Sequence, residues 1–180
     1  MINAGKLDHR IAVQSKTDTV NNYGAVTASW STAFSAWAQV SPVRGRERIE
    51  TAQVMPEMSH VVRTRFREGY TPDKRVVVKH KAGALNGAIS STSATTFTIA
   101  SAAALPGTGE YWALVDSEIV RVTGGQGTTT LTVRRGEKET TAATHADASV
   151  ITQIQVLNIQ DVANADSAND LVEIYCAEAV

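Results

Sequence analysis

Apolar and polar residues alternate with a period of two along most of this chain, a pattern that predicts β-strands from one end to the other. Leu7-Asp8-His9-Arg10-Ile11-Ala12-Val13-Gln14 places Ile11 and Val13 on one face. The polar stretch 16–22 then runs into Tyr23-Gly24, so a first strand and a hairpin turn are expected. Residues 26–40 carry β-branched and aromatic side chains, including Trp30 and Trp37, and stop at Pro42, which has no N–H to give a strand ladder. From His60 to Phe66 the alternation is clean. Val62, Thr64 and Phe66 share one face, while Val61, Arg63, Arg65 and Arg67 share the other. A turn through Gly69-Tyr70-Thr71-Pro72-Asp73 and the strand Lys74-Arg75-Val76-Val77-Val78-Lys79 complete a hairpin with one strongly basic face.

Val43–Ser59 shows neither strand alternation nor a turn-rich composition, and it is long for a connection in a small β domain. Residues 44–53 suit a helical turn or two before Met55-Pro56 breaks them. Long loops of this kind carry function more often than packing. Arg44, Arg46, Glu47, Arg48, Glu50, Met55, Glu57 and Met58 are therefore the candidate partner-contacting residues of the loop, and Arg63, Arg65 and Arg67 form a candidate strand facing another subunit or DNA.

From Ala84 the texture changes to Ser, Thr, Ala and Gly, with strand-like pieces at 96–99, 111–115, 118–122 and 130–133. Asp116-Ser117 is a plausible hairpin tip and Gly124-Gly125-Gln126-Gly127 a second turn. Charged, alternating sequence returns at 153–159, and a polar turn at 164–170 leads to a last strand, 171–177. The expected fold class is all-β: a small antiparallel β-barrel or sandwich built from residues 1–82 plus 151–180, with a second all-β module, 83–150, inserted in a hairpin. Its core is expected to contain Ile11, Val13, Trp30, Trp37, Val40, Ile159 and Ile174.

Composition adds mainly exclusions. The chain of 180 residues has 43% hydrophobic and 19% charged residues, as a folded protein does. No apolar run approaches the ~20 residues that cross a bilayer, and the N-terminus lacks a signal peptide's apolar stretch, so production and retention in the cytosol are expected. Cys176 stands alone, so no internal disulfide forms, and its alternating neighbours mark it as a buried strand residue. His9, His60, His80 and His145 lack metal-site spacing. There is no nucleophile elbow and no phosphate-binding loop, and the carboxylates Asp116 and Glu118 read as strand neighbours at a hairpin tip. No enzyme activity, cofactor or metal is expected.

A net charge of −1 conceals a lengthwise asymmetry. Residues 1–83 carry 13 Lys+Arg against 7 Asp+Glu, residues 84–150 carry 4 against 6, and residues 151–180 carry none against 5. Two consequences are open: the basic and acidic segments pair as adjacent strands within the chain, or they meet across copies and partners.

The ordered marks Gly5-Lys6-Leu7-Asp8-His9-Arg10-Ile11, Tyr23-Gly24, Trp30, Trp37-Ala38, Gly45-Arg46-Glu47, Arg63/Arg65, Gly69-Tyr70-Thr71-Pro72, 156–161 and 171–176 resemble the phage head–tail joining family. Its members are the head-closure, or stopper, proteins of long-tailed bacteriophages. The resemblance covers nearly all of residues 5–82 and 153–178. It departs from the family where the module 83–150 intervenes, and that segment is similar to a small β module found in phage structural proteins. The resemblance implies a virion structural protein at the head–tail junction, assembled in the host cytoplasm. There it would form a self-associated ring, expected to be a dodecamer, that closes the DNA-filled capsid below the adaptor and portal proteins. It would offer its far side to tail terminator or tail tube proteins. The loop Val43–Ser59 would reach the channel and help retain packaged DNA by contacts to phosphate rather than to bases. No membrane partner is implied. The alternative is another virion surface-binding module, whose insert contacts a host glycan or a neighbouring virion protein.

Overall fold

In the computed structural model, residues 4–20, 23–24, 26–43, 58–164 and 170–179 are described. They form ten strands: β1 (His9–Val20), β2 (Val26–Pro42), β3 (His60–Arg65), β4 (Lys74–Ala84), β5 (Thr96–Thr98), β6 (Tyr111–Val115), β7 (Glu118–Gly124), β8 (Thr130–Glu137), β9 (Val150–Asn164) and β10 (Leu171–Glu178). Two short 3-10 turns, Ala4–Lys6 and Ala102–Ala104, are the only helical pieces among the described residues. The protein is thus all-β, as the alternation predicts.

The chain divides into two compact units. Unit 1 comprises residues 1–16, 31–78 and 155–180; unit 2 comprises 17–30 and 79–154. The division differs from the expected one chiefly in residues 17–30, which belong to unit 2. Sequence pattern does not show this, because the polar stretch that begins at Lys16 reads as the approach to a hairpin turn and β2 runs through its boundary in unbroken alternation without a glycine.

In unit 1 hydrogen bonding runs β10-β3-β2-β1-β4-β9, and β9 pairs in turn with β10. That last pairing closes a cycle of six strands, so that among the described residues each of the six has a strand neighbour on both sides. A register shift at Tyr175/Cys176 lets β10 follow β9 while it also pairs with β3. Ile11 and Val13 of β1, Val62 of β3, Val76 and Val78 of β4, Leu157 and Ile159 of β9, and Ile174 and Cys176 of β10 bury in one cluster, with Val40 packed against it. Burial pushes the Cys176 thiol up to about 12, so it is an inert core residue.

Two expected core residues lie elsewhere. Trp37 is 52% exposed. The inward positions of β2 at this point are Phe34, Ala36, Ala38 and Val40, and Trp37 falls on the opposite parity, facing out. Trp30 is half-buried and belongs to unit 2, where its indole N–H donates to Glu139 Oε2 at 2.7 Å.

Unit 2 orders its strands β9-β6-β7-β8-β5. Its core is aliphatic around Phe97, with Leu85, Ile99, Val115, Val120, Leu131 and Ile151 among its members. Asp116-Ser117 forms a two-residue hairpin tip between Val115 and its partner Glu118, with Asp116 at φ 51°. Gly125 cannot be replaced without rebuilding the β7–β8 turn: its φ is 76° and an added Cβ would lie 2.0 Å from the Thr130 carbonyl oxygen.

Candidate functional site

Alternation along β2 and β3 sets up a groove on unit 1. Ala38 pairs with Thr64, so Trp37 and Arg65 emerge side by side on the outer face of neighbouring strands. The Thr64 hydroxyl donates to the Trp37 carbonyl at 2.9 Å, fixing the strand end beneath them. Beyond β3 the Phe66 N–H donates to the Asp170 carbonyl at 3.1 Å, holding Phe66 at 36% exposure. The turn that follows is closed by Gly69, whose φ of 102° excludes a side chain without strain, and by the Lys74 ammonium donating to the Gly69 carbonyl at 2.6 Å. That turn seats Tyr70 edge-on against Phe34, ring centroids 5.1 Å apart. Burial raises the Tyr70 phenol above its ordinary value.

The resulting groove has a volume of about 540 Å³ and is bounded by Leu7, Ala36, Trp37, Phe66 and Tyr70, with Arg65 and Arg67 beside them. Two arginines lie over aromatic rings here: the Arg10 guanidinium carbon is 5.5 Å from the Trp37 ring centre and that of Arg67 is 4.3 Å from the Phe34 ring centre.

The predicted arginine row is divided by its partners. Arg63 Nε donates to Glu173 Oε1 at 2.6 Å across the β3–β10 ladder, and Glu173 also accepts from the Tyr175 hydroxyl at 3.1 Å. Here the basic and acidic segments do pair within the chain. Arg65 and Arg67, by contrast, are exposed and meet no carboxylate among the described residues.

Of the predicted loop residues, Arg44, Arg46, Glu47, Arg48, Glu50, Met55 and Glu57 lie outside the described residues. Met58 is described and buried, at 5% exposure. The loop's root is closed by the Val43 N–H donating to the Ser59 carbonyl at 2.9 Å, and Ser59 is itself tied to β10 through its N–H to the Cys176 carbonyl at 2.9 Å. His60, at the start of β3, is half-buried, and that burial lowers its pKa.

Unit 2 holds a polar cluster that the sequence reading passed over. Glu118 is fully buried and accepts a forked pair from Arg135, Nε to Oε1 and Nη2 to Oε2, each at 2.7 Å. The backbone N–H groups of Gly136 and Ala143 donate to the same carboxylate at 3.0 and 2.9 Å. The His145 ring lies between Glu118 Oε2 at 2.9 Å and Asp116 Oδ2 at 2.8 Å. Burial alone pushes the Glu118 carboxyl up, yet the donors from Arg135, Ala143, His145 and Gly136 outweigh it and hold the group down to about 2. With every lone pair engaged this carboxylate is a strut; it has no capacity left for proton transfer. Among the described residues no cluster of His, Cys, Asp and Glu is arranged to hold a metal ion.

No curated protein matches the chain. The chain is similar to a protein from Shigella flexneri 2a of known solution structure, over 99% of this chain and 98% of that one, at 17% identity and with a TM-score of 0.48. The model of the phage head completion protein family matches residues 2–119, which take in β1 to β6, the start of β7 and the groove, and so runs beyond residue 83 into the segment expected to depart from the family. The chain therefore belongs to the phage head completion protein family, a family of virion structural proteins that work with other head and tail proteins.

Proposed function

We propose that this protein forms a ring at the head–tail junction, closes the DNA-filled capsid below the portal and adaptor proteins, and presents the docking surface for the tail. The observation that carries this reading is the family match over residues 2–119. Two features of the chain support it. The closed strand cycle of unit 1, in which each strand is paired on both sides among the described residues, is a frame suited to fixed stacking between other rings. The loop 43–59 is rooted on that frame by paired backbone bonds at Val43 and Ser59. Three arginines near the start of that loop, Arg44, Arg46 and Arg48, suit it to phosphate contacts in a channel.

The function is one of geometry. Copies of the ring meet each other and the adaptor through side-chain surfaces, and the loops converge on the channel. Particles made without this protein should contain packaged heads that leak DNA and remain separate from tails. Purified protein added to such heads should restore joining. Heads that retain DNA and join tails equally well without it would refute the proposal.

A further inference from the structure

The groove on unit 1 has a composition that fits one class of occupant. Its floor is apolar, with Leu7, Trp37 and Phe66 open to solvent or partly so, in a volume of about 540 Å³. Its margins are cationic. Arg10 and Arg67 lie over aromatic rings, and neither they nor Arg65 meet a carboxylate among the described residues, although Arg63, two positions away, is satisfied by Glu173. A Trp at 52% exposure beside a Phe at 36% is surface that desolvation would favour covering. Aromatic and arginine side chains together are the composition of energetic centres in protein interfaces.

Charge complementarity selects the partner's sign. Arginines already resting on aromatic faces keep their N–H edges available, and those edges are suited to carboxylates in a forked geometry. DNA phosphate would satisfy the arginines but leave the apolar floor uncovered, so an occupant with both features is favoured. We infer that this groove docks an extended peptide segment of a neighbouring virion protein that carries carboxylates flanking an aromatic or branched aliphatic anchor. The anchor fills the space between Trp37 and Phe66, and the carboxylates meet Arg65 and Arg67. This deepens the proposed junction role, since it names the chemistry by which a head or tail protein is held, and it rests on that reading for the identity of the partner as a virion component.

The inference is open to a direct test on the full chain. Random twelve-residue peptides displayed on cells are panned against the protein, and the variant carrying Arg65→Gln and Arg67→Gln serves as the counter-target. Both residues are exposed and outside the core, so the variant should unfold at the same temperature as the parent, which confirms that it is folded. Enriched peptides are expected to combine Asp or Glu with Phe, Leu or Ile and to weaken as salt is raised. They should also lose about tenfold or more in affinity for the variant, the loss expected when charge-assisted contacts are removed. Binding should shift the Trp37 indole resonance and be lost in Trp37→Ala.

No enrichment, or enrichment of basic or uncharged peptides, would overturn the inference. So would peptides that bind the variant as well as the parent. A short DNA duplex that requires Arg65 and Arg67 and displaces the acidic peptides would assign the groove to nucleic acid instead. Because panning reads the isolated chain, its failure leaves the junction role standing if added protein still restores head–tail joining. Failure of joining together with successful panning would refute the junction role and keep the groove.

Discussion

Arg65 in β3 and Arg135 in β8 stand in similar strand sequences and have opposite fates. In β8 the residues Leu131, Val133 and Arg135 share one parity, and the first two are core residues of unit 2. Arg135 therefore points inward, and Glu118, itself in phase with buried Val120 and Val122 on β7, meets it there. In β3 the buried parity belongs to Val62 and Thr64, so Arg65 points outward and no described carboxylate meets it. A charge in phase with the core has to be neutralised within the chain. One out of phase is under no such requirement: Arg63 is met by Glu173, and Arg65 by no described carboxylate. Phase thus accounts for the inward Arg135 and the outward Arg65, while a cross-strand partner decides pairing on the outer face, where Glu173 meets Arg63.

That contrast can be broken by substitution. Glu118→Ala should have the largest effect, since it leaves Arg135 and His145 buried without their carboxylate; a loss of about 3–5 kcal/mol in unfolding free energy is expected. Ile174→Ala, which empties a fully buried position in unit 1, should cost about 2–4 kcal/mol. A smaller loss for Glu118→Ala than for Ile174→Ala in urea titrations would mean that the polar cluster is not the keystone of unit 2.

Acid should act on the same carboxylate. Glu118 has a folded-state pKa of about 2 against an ordinary 4.5, so its contribution is fully present above the ordinary value and disappears as pH falls toward 2. The difference corresponds to roughly 3 kcal/mol. Unfolding free energy should fall by that order between about pH 5 and pH 2, and the fall should be absent in Glu118→Gln. An identical acid profile in the variant would remove Glu118 from the explanation.

Smaller effects sharpen the other side of the comparison. Arg63→Ala gives up a partly exposed pair with Glu173 and should cost no more than about 1 kcal/mol. Arg65→Gln should change stability by less than about 0.5 kcal/mol while weakening partner binding. A stability loss at Arg65 comparable to that at Glu118 would erase the distinction between the two arginines.

Much of this was legible in the alternation. Strand positions in both units follow the period of two, and the turn at Asp116-Ser117 lies where the sequence places it. Trp37 departs from the expected core because the parity of Phe34, Ala36, Ala38 and Val40 gives the inward face to those residues. Arg135 and His145 lie 17 and 27 residues from Glu118 in sequence and meet it only through the β7–β8 pairing and the segment that carries His145. The signal was present in two charged residues lying in phase with apolar ones, but the pairing of one with the other is a tertiary fact. The groove was half legible: alternation placed Arg65 outward, while the seating of Tyr70 against Phe34 depends on how the turn at Gly69 folds back.

The most direct test of the junction role is electron cryo-microscopy of intact particles at a resolution that traces this chain. The account predicts a ring of its copies between the head and the tail, with Trp37, Phe66 and Arg65 of each copy covered by a neighbouring protein. Finding the chain on the capsid surface or at the distal end of the tail, or at the junction with that groove open to solvent in every copy, would contradict it.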